Sequence, residues 1–438
     1  MKETVKSAAL VLLIACSLVQ SYFLIYRLPG NDPVVKSESD YVKTESMGTE
    51  MKAEELVFPA EMILHMGAGK HTLFYPGSTF YKLINTRLQG RLFDGFQRYD
   101  ATGTNWNTIR QQNEGIELRF GKGVPVALLQ KVMQISNDPL LQEETINRIL
   151  IYNVKNEDKV RAFFFSAQGG TVYEAKNADL TVQDVRQQVG FGKEWTPSYT
   201  LMDSGYYVPD GKIEALQVTL DTGVFTTDQM QKSLFSDPSI TRNIREKDGS
   251  EIYTDIKRSL QFKQNQNWIN YTDPAASGGT DNSLGKNALS AVDFVNQHGG
   301  WDAGSGGTYR MEVSGEAGYN VDSKHRQDTV TFQQYYRSLP ILDLEGFHYG
   351  VMRLDMHQGT VTSYERSLIY TKGTGATKTF KKQLAGGKEL TALIASAAKD
   401  RTISWLYPAY QPSLTDEGLK LAPVWMLVFA NGEREILQ

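Results

Sequence analysis

Residues Ser7 to Tyr26, SAALVLLIACSLVQSYFLIY, form an apolar run without a single charge, and nothing like it recurs in the 438-residue chain. A helix of that length, at about 1.5 Å per residue, measures roughly 30 Å, the thickness of a bilayer's hydrocarbon core, and it satisfies its own backbone. The sequence therefore predicts one membrane span at 7–26, a tail at 1–6, and everything after Arg27 on the other side. The run continues through Tyr22-Phe23-Leu24-Ile25-Tyr26 to Arg27-Leu28-Pro29 without a small-x-small cleavage site, which suits an uncleaved signal anchor. Leu13-Ile14-Ala15-Cys16 also fits a lipobox, but lipidation at Cys16 would leave ten largely apolar residues outside the membrane. Lys2 and Lys6 favour a cytoplasmic N-terminus. The large region is thus expected to be extracytoplasmic and the protein to sit in the cell membrane.

Cys16 is the only cysteine, so the region after the span forms no intramolecular disulfide and depends on its apolar core. A net charge of −4 and a pI near 6.0 exclude the basic footprint of a nucleic-acid binder. Residues 27–55 are rich in Ser, Thr, Glu, Asp and Lys and are expected as a flexible stalk. Beyond Leu56, short strands alternate with isolated helices, which predicts α+β rather than a doubly wound sheet. Three small mixed helix and antiparallel-sheet domains are expected, at 56–145, 146–255 and 256–438.

Several elements are legible. Val57–Met66 and Leu73–Tyr75 predict a hairpin across Gly67-Ala68-Gly69, and Ser78 caps a helix to about Leu88. Pro125 opens a helix through Ile135. RILIYNV, KVRAFFFSA and TVYEAKN are strands, followed by a helix from Thr181 with Asp184 completing a capping box. Leu260–Phe262 pairs with Trp268–Tyr271. Helix Leu289–Gln297 stops at Gly299-Gly300, and helix Lys388–Lys399 precedes two final strands; the repeated order suggests duplicated lobes. LAPVWMLVFANGE holds only about ten apolar residues, too few to span, and is expected as a buried strand.

Catalytic material is sparse. Of the six histidines, His348 and His357 are expected on one strand with opposite faces, Asp355 and His357 on one face without a third ligand, and His298 at a helix end where it suits the dipole. Met66-Gly67-Ala68-Gly69-Lys70-His71 lacks the first glycine and the Ser or Thr of a phosphate loop, so a hairpin turn explains it. There is no Gly-x-Ser-x-Gly, and Glu143-Glu144 and Asp416-Glu417 sit in polar, turn-like contexts. No catalytic residue, cofactor or metal site is expected. The aromatic clusters Tyr206-Tyr207, Tyr335-Tyr336 and Trp405-Leu406-Tyr407 suit sheet packing better than an interface. Within the span, Ser17 and Ser21 form a small-x-x-x-small pair and Gln20 is a strong hydrogen-bonding group, so these three are the candidate contacts to a partner helix.

DFVNQHGGW at 293–301, RSLPIL at 337–342, VTSYERSL at 361–368, LYPAYQPS at 406–413 and APVWMLVFANGE at 422–433, behind a single span, resemble the YycH (WalH) family along nearly the whole chain. The resemblance implies a single-pass protein with a three-domain extracytoplasmic region whose C-terminal part is similar in fold to YycI. It also implies a non-enzymatic role: with YycI, the family contacts the sensor histidine kinase WalK and adjusts its activity, partly through transmembrane helices. No binding residue is carried over by motif. An alternative from another class is an extracytoplasmic sensor binding a cell-wall fragment or peptide. That alternative calls for a pocket lined by Tyr and Trp, where filled sheet faces would count against it. A cell-wall hydrolase is disfavoured because no acid, base and nucleophile set is readable.

Overall fold

The computed structural model describes residues 47–437, apart from 169, 194–196, 264–266, 277, 280 and 316–327, together with Lys6, Leu13, Ile14 and Ser17. The chain divides into two units, residues 1–44 and 45–438. Of the first, the four described residues are helical, and the expected span otherwise lies outside the described residues. Among the described residues no helix is long and apolar enough to cross a membrane.

The second unit is α+β and mostly sheet, as expected. Its first ten strands, β1 (Glu61–Met66), β2 (His71–Phe74), β3 (Leu92–Tyr99), β4 (Glu114–Pro125), β5 (Gln134–Ile135), β6 (Thr145–Asn153), β7 (Val160–Ser166), β8 (Val172–Ala178), β9 (Tyr199–Leu201) and β10 (Tyr207–Pro209), form one sheet. Their order is β10-β9-β2-β1-β4-β6-β7-β8-β3-β5. β1 and β2 are the predicted hairpin, closed by Met66 N–H donating to the Lys70 carbonyl. Ser78 caps helix Thr79–Gln89, and Thr181 and Asp184 bond reciprocally at the head of helix Val182–Lys193. The Pro125 helix is shorter than expected, Val126–Val132, because the chain returns to strand at Gln134.

β11 (Ile213–Val224) leaves that sheet for another. β12 (Arg242–Arg245), β13 (Glu251–Thr254), β14 (Ser259–Lys263), β15 (Trp268–Thr272), β16 (Gly307–Gly315), β17 (Asp328–Tyr336), β18 (Leu339–Pro340), β19 (Val351–His357) and β20 (Thr360–Ser367) build a nine-stranded antiparallel sheet. Helix Leu284–Gln297 lies on it, burying Leu284, Ala288, Ala291, Val292 and Val295. β21 (Ile369–Leu384), β22 (Ile403–Thr415), β23 (Gly418–Phe429) and β24 (Arg434–Leu437) join β11 in a five-stranded sheet covered by helix Gly387–Ala398. β23 is the expected buried strand, its interior positions almost wholly enclosed.

One apolar core, running from Met62, Leu64 and Leu118 to Phe332 and Tyr364, is shared by the first and nine-stranded sheets. The positions 146 and 256, taken from the sequence as domain borders, fall within β6 and in the turn between β13 and β14 of one sheet. Strand pairing decides this: β6 bonds to β4 and β7 along its length.

Gly299 and Gly300 do more than stop a helix. Both hold positive φ, at 105° and 74°, and a Cβ on Gly300 would lie 2.8 Å from the Thr49 carbonyl oxygen. That close approach lets Thr49 and Trp301 exchange backbone hydrogen bonds of 2.9 and 2.8 Å. The tail end of the stretch expected as stalk is thereby packed onto the nine-stranded sheet.

Candidate functional site

β4 reads as an alternating strand, with Ile116, Leu118 and Phe120 turned to the shared core. Its other face carries Gly115, Glu117 and Arg119. Register places Glu61, Arg119 and Arg148 side by side across β1, β4 and β6, and Ile63, Glu117 and Leu150 beside them. This face is covered rather than solvated: Arg110 comes down from helix Trp106–Gln112, and Tyr207 lies over the Arg119 guanidinium at 5.1 Å.

Glu117, fully buried, is the centre. It accepts from Arg110 Nε at 2.6 Å, Arg119 Nε at 2.8 Å and His65 Nε2 at 3.2 Å. Burial alone would raise its pKa, but Arg110, Arg119 and His65 outweigh burial and hold the carboxyl well below its ordinary range. Burial pushes both histidines the other way: His65 is lowered, and His71, beside it, is lowered to about 3. Both rings are therefore neutral at pH 7. Because Glu117 can only accept, His65 carries its proton on Nε2, and His71 Nδ1–H then donates to His65 Nδ1 across 3.0 Å. The His71 Nε2 left over has no hydrogen-bond partner among the described residues.

This cluster was missed by linear spacing, which gave no grouping of histidines. The hairpin contained the signal: a loop symmetric about Ala68 must pair His65 with His71. The two imidazoles are 1 % and 0 % exposed and line neither cavity described below.

The other predicted residues are scattered. His348 precedes β19 instead of sharing a strand with His357, because the chain turns there so that His348 Nδ1 and Arg353 both reach Asp343. Asp355 accepts from Thr329. His298 caps its helix as expected, its ring bonded to the Ser233 carbonyl. Among the described residues no three His, Cys, Asp or Glu side chains are arranged to hold a metal ion. Tyr206, Tyr207, Tyr335, Tyr336 and Tyr407 are buried in sheet packing. Of the span contacts, Ser17 is helical and exposed, while Gln20 and Ser21 lie outside the described residues.

A cavity of about 480 Å³ opens where the three sheets meet, between the β4 bulge, β6, β16, β17 and the β22–β24 edge. Tyr75, Tyr335, Trp405 and Tyr407 form aromatic walls. Arg310 of β16 ties the walls together, donating to Tyr335 at 2.9 Å, to the Phe120 carbonyl at 3.2 Å and to Glu312. A second, shallower cavity lies beside Trp106, Arg110 and Phe165.

Comparison with known proteins follows this architecture from end to end. The family profile described as "YycH protein, N-terminal domain" matches residues 3–190, and that described as "YycH protein, C-terminal domain" matches residues 204–435. The "Two-component system WalR/WalK regulatory protein YycH" of Bacillus subtilis (strain 168) is 20% identical, over 97% of this chain and 94% of the relative. The crystal structure of YycH from Bacillus subtilis superposes with a TM-score of 0.66, covering 89% of this chain and 98% of that one at 20% identity, which establishes a common fold. On the two profile matches, which together take in both halves of the sequence, the chain belongs to the YycH family.

Proposed function

We propose that the chain is a non-enzymatic regulatory subunit of a two-component system of the WalR/WalK kind. It is held in the cell membrane by a helix at 7–26, with its large region extracytoplasmic, and associates with the sensor kinase WalK and with YycI. The observation carrying this is full-length family membership beside a relative that bears that regulatory name. The uncharged apolar run supports the anchor, and the sealed histidine cluster supports a role without catalysis. A coupling of about 1–3 kcal/mol between subunit and kinase shifts output from several-fold to a hundredfold, which a few interhelical contacts can supply.

The test replaces Ser17, Gln20 and Ser21 together by Leu in the full chain. Kinase output and co-purification of WalK are expected to change; if both match the parent protein, intramembrane contact is not the route. A second reading, an extracytoplasmic module that senses a cell-wall fragment or peptide, is favoured by the Tyr- and Trp-walled cavity, the feature that reading requires.

A further inference from the structure

The cavity between the three sheets carries a marked imbalance of charge. Its walls and rim hold Arg119, Lys122, Arg148, Arg310 and Arg434, against the single carboxylate of Glu312 among the described lining residues. Glu312 is committed to Arg310. Arg119 is committed to Glu117 and Glu61, behind the wall. Arg148 lies beside Arg119 in register and reaches Glu117 only at 3.9 Å. Lys122 and Arg434 stand exposed at the rim and, though neither makes an ion pair within 4.0 Å among the described residues, both feel the Glu312 carboxylate that Arg310 holds.

We infer that this cavity is a binding site for a small organic anion, its carboxylate or phosphate group held by Lys122, Arg148 and Arg434 and its body lying against Trp405, Tyr335 and Tyr75. The inference rests on the second reading above and names the chemistry of its ligand. Three further observations support it. The volume falls within the roughly 300–1,000 Å³ typical of small-molecule sites, which also favour junctions between substructures. Among the described residues the lining atom Asn147 Oδ1 is buried without a hydrogen-bond partner, whereas Tyr75 and Trp405 turn their polar ends to Tyr199 and Glu61. Burial, only partly offset by Glu117 and reinforced by Arg119 and Arg110, lowers Arg148 to about 10, so its charged form gains from a further anion. A concave, aromatic-walled chamber suits a small anion better than the flat face of an acidic protein, which would meet mainly the rim.

The source of the anion is read from the test. The full chain, purified in neutral detergent, is titrated calorimetrically with sn-glycerol 3-phosphate, with an N-acetylated dialanine bearing a free carboxylate, and with the same dipeptide as its C-terminal amide. One of the two anions is expected to saturate with a Kd of about 1 mM or tighter, more weakly as salt rises, while the amide does not bind. Preference for the phosphate points to a phosphate-bearing source and preference for the dipeptide to a peptide terminus. The double variant Lys122→Ala, Arg434→Ala is expected to weaken binding at least about tenfold, in line with the loss of two charge-assisted contacts, with its melting unchanged because both side chains are exposed. Absence of saturation by either anion, or equal affinity in the double variant, overturns the inference. Binding that is lost in the variant while kinase output in cells stays the same upholds the site and refutes the sensing role.

Discussion

Replacing Glu117 by Gln tests whether the buried face of β4 is held by a charge or by hydrogen bonds alone. Gln keeps the shape and one acceptor, yet withdraws the carboxylate shared by Arg110, 3 % exposed, and Arg119, 13 % exposed. At an effective dielectric near 20, each pair at about 4 Å is worth about 4 kcal/mol before desolvation. Breaking a buried pair from one side, so that cations remain without their counter-charge, typically costs about 3–5 kcal/mol. With an unfolding entropy of about 2.1 cal/mol/K per residue and roughly 390 residues in the second unit, that loss lowers Tm by roughly 4–6 °C. The assay is urea unfolding of the detergent-solubilised chain followed by tryptophan fluorescence, with a thermal scan beside it. Arg110→Met added to Glu117→Gln should cost less than Arg110→Met alone, with a coupling above about 1 kcal/mol. A Glu117→Gln protein within about 1 kcal/mol of the parent, or strictly additive single changes, would refute the assignment of Glu117 as the charge that holds this face.

Acid should weaken the same region before it touches the carboxylates. His71 is held near 3 in the fold against 6.5 when free, so its contribution is intact above pH 6.5 and is lost as pH falls toward 3, by about 2 kcal/mol at pH 5; urea midpoints at pH 7.5 and pH 5 measure it, and a level midpoint contradicts a neutral buried His71. Glu117, its pKa depressed, adds its own loss only below about 4.5. Gly300→Ala puts a methyl against the Thr49 carbonyl at a positive φ, so it should destabilise by about 1–3 kcal/mol and free the Met47–Thr49 segment to limited proteolysis.

Local signals in the sequence located most elements, and long-range pairing placed them in ways no local signal could. Ser78 and the Thr181–Asp184 box announced their helices because capping is a matter of four residues. The Gly299-Gly300 stop was legible too, but not its second purpose, since the Thr49 backbone it admits is 251 residues away in sequence. β4 shows the limit most clearly. Alternation of Ile116, Leu118 and Phe120 with Glu117 and Arg119 normally marks a half-solvated strand. Here helix Trp106–Gln112 and β10 cover the polar face, and a surface pattern becomes a buried ion cluster. The cavity was invisible for the same reason: Lys122, Arg310 and Arg434 come from three distant stretches and meet only because β16 packs against the β4 bulge and β24 closes the edge of the five-stranded sheet.

The buried cluster and the cavity are two ends of one ladder of charge. At the sealed end, Glu117 lies between Arg110 and Arg119 and every cation has its counter-charge. One strand further, Arg148 reaches Glu117 only at 3.9 Å, and at the rim Lys122 and Arg434 share the one carboxylate of Glu312 with Arg310. Compensation that fades toward an opening makes the inner half a rigid base and the outer half the place where an anion changes the energy. Because the walls belong to three sheets, an occupant stabilises their mutual packing by RT ln(1 + [L]/Kd), about 2.7 kcal/mol at a hundredfold excess over Kd. That is the size of coupling a kinase regulator needs, and linkage requires it to act both ways: whatever partner favours the packed junction must tighten the anion by the same factor.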